Sequence, residues 1–288
     1  MQYQWYPGHM AKAKRQMAEE MKLIDVVVEL VDARIPLSSK NPDIDGLAKG
    51  KSRVLLLNKA DMADPQVTAR WKEWFTKKDY FVATVNSKNG SGIKTVTDCI
   101  MAACANKIER DRKRGIMNRP VRAMIVGIPN VGKSTFINSF AGKAVAQTGN
   151  KPGVTKGKQW IRLNKNVELL DTPGILWPKF ESESVGKRIA WIGSISDDIL
   201  VPEELAMDLL SYITTHYPGA VSAKYNVAEV LAEDTQGDLL CRIAAKRGCL
   251  KKGGEYDLER AANIVVDDFR SVKIGAISLE VPEEVNHD

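Results

Sequence analysis

Residues Gly127-Ile128-Pro129-Asn130-Val131-Gly132-Lys133-Ser134 place two glycines, a lysine and a hydroxyl at the spacing of a loop that wraps its backbone around phosphate. The glycines let N–H groups turn inward, and the helix predicted to begin there adds a dipole that favours negative charge. On this reading Gly127, Asn130, Val131, Gly132, Lys133, Ser134 and Thr135 hold phosphate, with Lys133 at the outermost groups and the Ser134 hydroxyl on Mg2+. A second stretch, Asn58-Lys59-Ala60-Asp61, fits an element in which one carboxylate accepts hydrogen bonds from two neighbouring donors of guanine. Adenine presents an acceptor at one of those positions, and a carboxylate left unpaired in this way discriminates by ~10^4 or more. Ser87 and Lys88 fit the weaker second base-reading element. Asp171-Thr172-Pro173-Gly174 fits a switch in which Asp171 holds Mg2+ through water and the Gly174 N–H senses the terminal phosphate. Thr155 is the expected first-switch threonine that completes the metal shell, with Thr148 as the alternative. Each pattern has a bland reading, such as a solvated loop for Lys59 and Asp61. The four patterns, each at a predicted strand end or in the loop between, do not share one.

The elements that must position these residues alternate. Apolar runs at 25–31, 53–57, 80–85, 121–126, 159–163 and 167–170 read as strands. Between them, helices are expected at 10–24, after Pro65, over 93–108, and from the phosphate loop to Phe140. The charge-dense stretch 109–119 reads as a solvated connection. Beyond Pro178 only helical periodicity remains, with Leu205, Leu209, Tyr212 and Ile213 on one face and Leu258, Ala262, Val265 and Phe269 on another. The expected architecture is therefore α/β, a P-loop sheet with helices on both faces over 1–178, followed by a small all-helical domain over 179–288. Truncation near Pro178 is expected to keep some nucleotide binding. At 288 residues, 44% hydrophobic and 27% charged, the chain can bury a real core. No apolar run reaches the roughly 18 residues of a membrane span. Cys99, Cys104, Cys241 and Cys249 form no CxxC pair and read as reduced thiols, which points to the cytoplasm. A net charge of +6 fits an RNA partner and mere solubility equally well.

The order of the patterns carries more than any one of them. GTP-binding switch proteins ordinarily run phosphate loop, first switch, DxxG, then the two base-reading elements, whereas here Asn58–Asp61 and Ser87-Lys88 come first. Cutting after DxxG and joining the old ends through 109–119 yields this order with the sheet unchanged. With Trp5-Tyr6-Pro7-Gly8-His9-Met10 and Asp32-Ala33-Arg34-Ile35-Pro36, the chain resembles the circularly permuted GTPases, in particular the ribosome biogenesis GTPase A (YlqF-type) family. The resemblance covers the whole chain. It implies hydrolysis of GTP to GDP and phosphate by a monomer that helps to mature the large ribosomal subunit, and rRNA binding partly through the C-terminal helices. Ile175 stands where many GTPases carry the water-orienting glutamine, and in the YlqF group the histidine of the N-terminal motif, here His9, is the proposed catalytic residue. Arg34 is a weaker candidate for charge stabilisation, with a structural role in its loop favoured. Asn130 resembles the asparagine of potassium-stimulated GTPases, which makes K+ an expected companion of Mg2+. The basic residues Lys151, Lys156, Lys158, Arg162 and Lys165 read as a solvated face. Two other readings survive: a GTPase switch acting on a protein partner through the helical domain, and an ATP-dependent phosphotransferase, which Asp61 opposes. Because DxxG runs straight into the helical region, the second switch is expected to couple nucleotide state to it.

Overall fold

The computed structural model describes residues 8–117, 119–143, 159–162, 166–172, 175–177, 180–228 and 235–283. Six strands form one sheet: β1 (Val26–Asp32), β2 (Ser52–Asn58), β3 (Phe81–Thr84), β4 (Val121–Val126), β5 (Gln159–Arg162) and β6 (Val167–Asp171). Their order is β3-β2-β1-β4-β6-β5, and every pair is parallel except the edge pair β5–β6. The direction of winding reverses between β1 and β4, so a crevice opens there at the carboxyl ends of the strands. The register brings Asp32 beside Asn58 and Ile125 beside Asp171, which gathers four of the chemically suggestive loops at this one edge.

The period of two along each strand sorts the core. Val26, Val28, Leu30, Val54, Leu56, Ala123, Ile125 and Leu169 face one side, and Val27, Val31, Leu55, Leu57, Met124, Val126 and Leu170 the other. On the second side lie α1 (Gly8–Glu20), through Met17 and the following Met21; α2 (Pro42–Leu47), through Ile44; and α3 (Pro65–Thr76), through Val67, Trp71 and Phe75. On the first lie α4 (Ile93–Ala103), whose Val96 and Ile100 are buried, and α6 (Lys133–Ala141), whose Phe136 and Ile137 are. Between these two the helix expected over 93–108 breaks at Cys104, whose φ of −101° and ψ of 5° lie outside the helical well. A second helix, α5 (Ala105–Lys113), then occupies part of the stretch expected to be a loose connection.

The C-terminal region is helical as expected: α7 (Glu183–Trp191), α8 (Pro202–His216), α9 (Ala220–Tyr225), α10 (Gln236–Arg247) and α11 (Leu258–Arg270). Buried residues of α7, α8, α10 and α11 join the same apolar cluster as the first face of the sheet, through Leu176, Trp177, Ile189 and Leu209. Residues 274–283 then turn back onto the sheet. Ile277 N donates to Met62 O at 3.2 Å, Leu279 N to Arg34 O at 2.8 Å, and Trp71 Nε1 to Glu280 O at 3.1 Å. The buried Glu280 carboxylate accepts from the N–H of Leu37 and Ser38 and from the Ser38 hydroxyl, and pairs with Arg188 at 3.4 Å.

Candidate nucleotide site

The turn after β4 carries the phosphate loop into α6. Gly132, at φ +100°, has no room for a side chain: a Cβ there would lie 2.5 Å from Nδ2 of Asn58. A Cβ on Gly127 would meet Leu30 O at 2.6 Å. Both glycines are thus required by close approach of neighbouring chain. Lys133 is buried, and its Nζ donates to Gly127 O and Ile128 O, each at 3.0 Å. Burial pulls its pKa down to about 8, against the attraction of Asp171. Ser134 and Thr135 are half-buried at the start of the helix.

Asp171 closes the phosphate side. Burial raises its carboxyl, while the Lys133 charge and a hydrogen bond from the Thr172 backbone act in the other direction. Its Oδ1 is buried and has no hydrogen-bond partner. An anionic oxygen without a partner beside a hydroxyl-bearing P-loop fits a hard cation such as Mg2+, which Ser134 and Asp171 could hold. Thr155, Thr148 and Gly174 lie outside the described residues.

Asn58–Asp61 and Ser87-Lys88 are brought together, by bonds that the patterns did not reveal. Asn58 Nδ2 donates to Val131 O at 2.8 Å, and its Oδ1 accepts from Ser87 N at 3.1 Å and Ser87 Oγ at 2.7 Å. One buried amide thus ties the loop at Val131 to the Asn58–Asp61 and Ser87-Lys88 loops. Asn86 shapes the second of them by accepting from Lys88 N and Asn89 N, leaving Lys88 exposed. Lys59 stands in the left-handed region at φ +58°, and Asp61 follows on a short 3-10 turn, exposed.

Lys59 is held by Asp32, whose Oδ2 lies 3.0 Å from its Nζ. The same carboxylate accepts from Arg34 N at 3.1 Å, Nε at 2.8 Å and Nη2 at 2.8 Å. Burial alone would raise the Asp32 carboxyl, but the Arg34 guanidinium and the Lys59 ammonium outweigh it and hold it well below the carboxylate range. Arg34 is 1% exposed and stacks 5.3 Å from the Phe269 ring of α11. Through Asp32 it braces the Asn58–Asp61 loop.

Ile175 is 2% exposed, packs with Met17 and Leu170, and has its carbonyl held by Asn41 Nδ2 at 3.1 Å. An apolar, buried side chain there cannot orient water. His9 lies in the first turn of α1, which begins at Gly8, two residues before the predicted start. The far end of α1 packs on the sheet, where Met17 and the following Met21 join Val27, Met124 and Ile175. Two further bonds join the phosphate loop to the helical region: Asn130 Nδ2 donates to Gly193 O at 2.6 Å, and Ser194 Oγ to Pro129 O at 2.7 Å. No motif marks Gly193-Ser194, so sequence reasoning missed both bonds.

Known proteins share this arrangement. Residues 122–236 match the sequence family described as 50S ribosome-binding GTPase. A protein of Priestia megaterium named ribosome biogenesis GTPase A is 46% identical over 285 residues, spanning 99% of this chain and 98% of its own. The ribosome biogenesis GTPase A of Thermotoga maritima is 33% identical over 98% of this chain and 95% of its own. A crystal structure of GNP-bound YlqF from T. maritima has a TM-score of 0.67 at 30% identity, covering 94% of this chain and 99% of that one.

Proposed function

The chain belongs to the ribosome biogenesis GTPase A family of circularly permuted GTPases and hydrolyses GTP, and from that premise we propose that it is a cytoplasmic assembly factor for the large ribosomal subunit whose nucleotide state is relayed to its helical region. In this reading Asn58, Lys59, Asp61, Ser87 and Lys88 select guanine. Gly127, Asn130, Val131, Gly132, Lys133, Ser134, Thr135 and Gly174 hold the phosphates, and Ser134, Thr155 and Asp171 serve Mg2+, with Asn130 as a K+ ligand. The metal, when bound, neutralises charge that builds on the outer phosphates. Lys133 exchanges two carbonyl partners for phosphate oxygens, and Asp61 pairs with the base. His9 orients the attacking water, a task Ile175 leaves open.

The relay is supported by one observation: the phosphate loop is hydrogen-bonded at Pro129 and Asn130 to the turn that follows α7. A change in phosphate-loop geometry on GTP binding therefore reaches that turn without passing through solvent. The rRNA contact is supported by a second exposed surface: Lys246, Lys251 and Lys252 beside Leu250 and Tyr256, which are 52% and 47% exposed. Apolar and basic groups side by side suit bases and phosphates. Protein loaded with a non-hydrolysable GTP analogue should co-sediment with large subunits or their precursors, and protein loaded with GDP should do so less. Equal co-sedimentation in both states would defeat the relay, and none in either state would favour a protein partner. His9→Ala is expected to lower turnover by about tenfold or more with GTP affinity nearly intact. A native rate, alone and with subunits, would return His9 to a structural role.

A further inference from the structure

The amino edge of the sheet carries a second concentration of charge. From Ala105 to Arg119 there are six basic residues and two acidic ones, a net +4 out of the whole chain's +6. The acids are already engaged by lysine: Asp111 with Lys107 at 2.9 Å and Glu109 with Lys113 at 2.8 Å. Arg119 and Lys107 both approach Asp25 at 3.4 Å, which fixes α5 and the following chain against the start of β1. Arg110, Arg112 and Arg114 are exposed and form no ion pair among the described residues; Arg110 reaches only Asn106 O, at 3.3 Å. Next to them Ile116 and Met117 are 42% and 69% exposed and line a cleft of about 390 Å3 together with Lys107, Ile108 and Arg112 of α5 and with Arg119.

We propose that α5 and the chain that follows it form an RNA-binding site, in which Arg110 and Arg114, four residues apart on one side of the helix, take phosphates, while Arg112, on the side that lines the cleft, holds the phosphate of an unpaired base received beside Ile116 and Met117. Three exposed guanidiniums that form no ion pair among the described residues offer bidentate donors to phosphate oxygens. Exposed apolar side chains beside them suit the face of an unstacked base and offer nothing to a duplex, whose bases are covered. The position is distinct from the nucleotide site, since the seven residues of β1 separate the two edges by about 20 Å. It is also distinct from the lysine-rich surface of the C-terminal helices. A joint between former termini is free of the work of either switch, so it can carry RNA without disturbing hydrolysis.

The proposal rests on the RNA-partner reading above, and its test separates the two. Binding of the full chain to a mixed-sequence single-stranded RNA 20-mer is measured by fluorescence anisotropy between 50 and 200 mM salt. Arg110→Ala/Arg112→Ala/Arg114→Ala is expected to weaken binding by at least about tenfold at the lower salt and to reduce the slope of log affinity against log salt by about 2. Its GTP turnover without RNA and its melting temperature should match the parent. A triple variant that binds with native affinity and slope overturns this site while leaving an RNA partner in place. A native chain that binds no RNA at all removes the partner reading and the site together. A variant that loses large subunits but keeps native affinity for the 20-mer also overturns it, in favour of an acidic protein surface.

Discussion

At the scale of single residues, Lys133 makes the sharpest prediction. Its pKa is lowered to about 8 because burial penalises the ammonium more than Asp171 stabilises it. Phosphate oxygens in place of two carbonyls would raise that pKa on binding. The bound pKa then exceeds the free one, so binding takes up a proton at pH values between the two. Affinity is fully present below pH 8 and lost above it, by up to about tenfold per pH unit. GDP affinity measured from pH 7 to 9.5 should show this inflection, and Lys133→Arg, which stays charged, should lack it. A flat profile for the parent would show that Lys133 keeps its proton without nucleotide. The residues of this site divide by how they could be read in the sequence. Lys133, Asn58 and Asp171 are singled out by sequence alone because phosphate, base and metal chemistry demand those types at fixed local spacing, and the structure places all three at one edge of the sheet. Ser194 and Glu280 work through partners far away in the chain, 65 residues for Ser194 and more than 240 for Glu280, and local spacing carries no trace of such pairs.

At the scale of elements, alternation of apolar runs predicted all six strands, with ends within two residues of those seen, because a buried parallel strand must be apolar on both faces. The break at Cys104 went unseen, since the apolar positions continue in helical register across it and only the backbone angles depart. The element that ties the phosphate loop to the helical region is the turn after α7. Arg270 fixes it from behind, donating through Nε to Trp191 O at 2.9 Å and through Nη2 to Ala190 O at 2.8 Å while pairing with Asp197. Ser194 is 1% exposed, so Ser194→Ala removes a buried hydroxyl and leaves Pro129 O without its partner. The cost is about 1–3 kcal/mol, and it falls on the phosphate loop. We expect GTP affinity to drop by roughly tenfold with only a modest change in melting temperature, as checked by nucleotide titration and calorimetry. Native affinity in this variant would show that the turn merely touches the loop and does not position it.

At the scale of the whole molecule, one apolar cluster runs from the sheet through α7, α8, α10 and α11. A cut near Pro178 would therefore expose core on both sides, and the expectation that such a fragment keeps nucleotide binding loses its footing. A gentler cut tests the closing strap. A chain stopped at Lys273 loses the bonds from Ile277, Leu279 and Glu280 to the Arg34 loop and to Met62, next to Asp61. It is expected to melt lower by on the order of 10 °C and to discriminate GTP from ATP less well than the full chain, as read by competition binding. Retained discrimination would mean that Asp32 and Arg34 hold Lys59 unaided. Synthesis runs from the amino end, so the shortened chain also stands for a moment in the life of every copy. The Asn58–Asp61 loop is complete in sequence by Asp61, yet the segment that clasps its surroundings leaves the ribosome more than two hundred residues later. If that segment is what holds Lys59 and Asp61 for the guanine selection proposed above, a chain made only as far as Lys273 has a phosphate loop before it has a braced means of choosing its base.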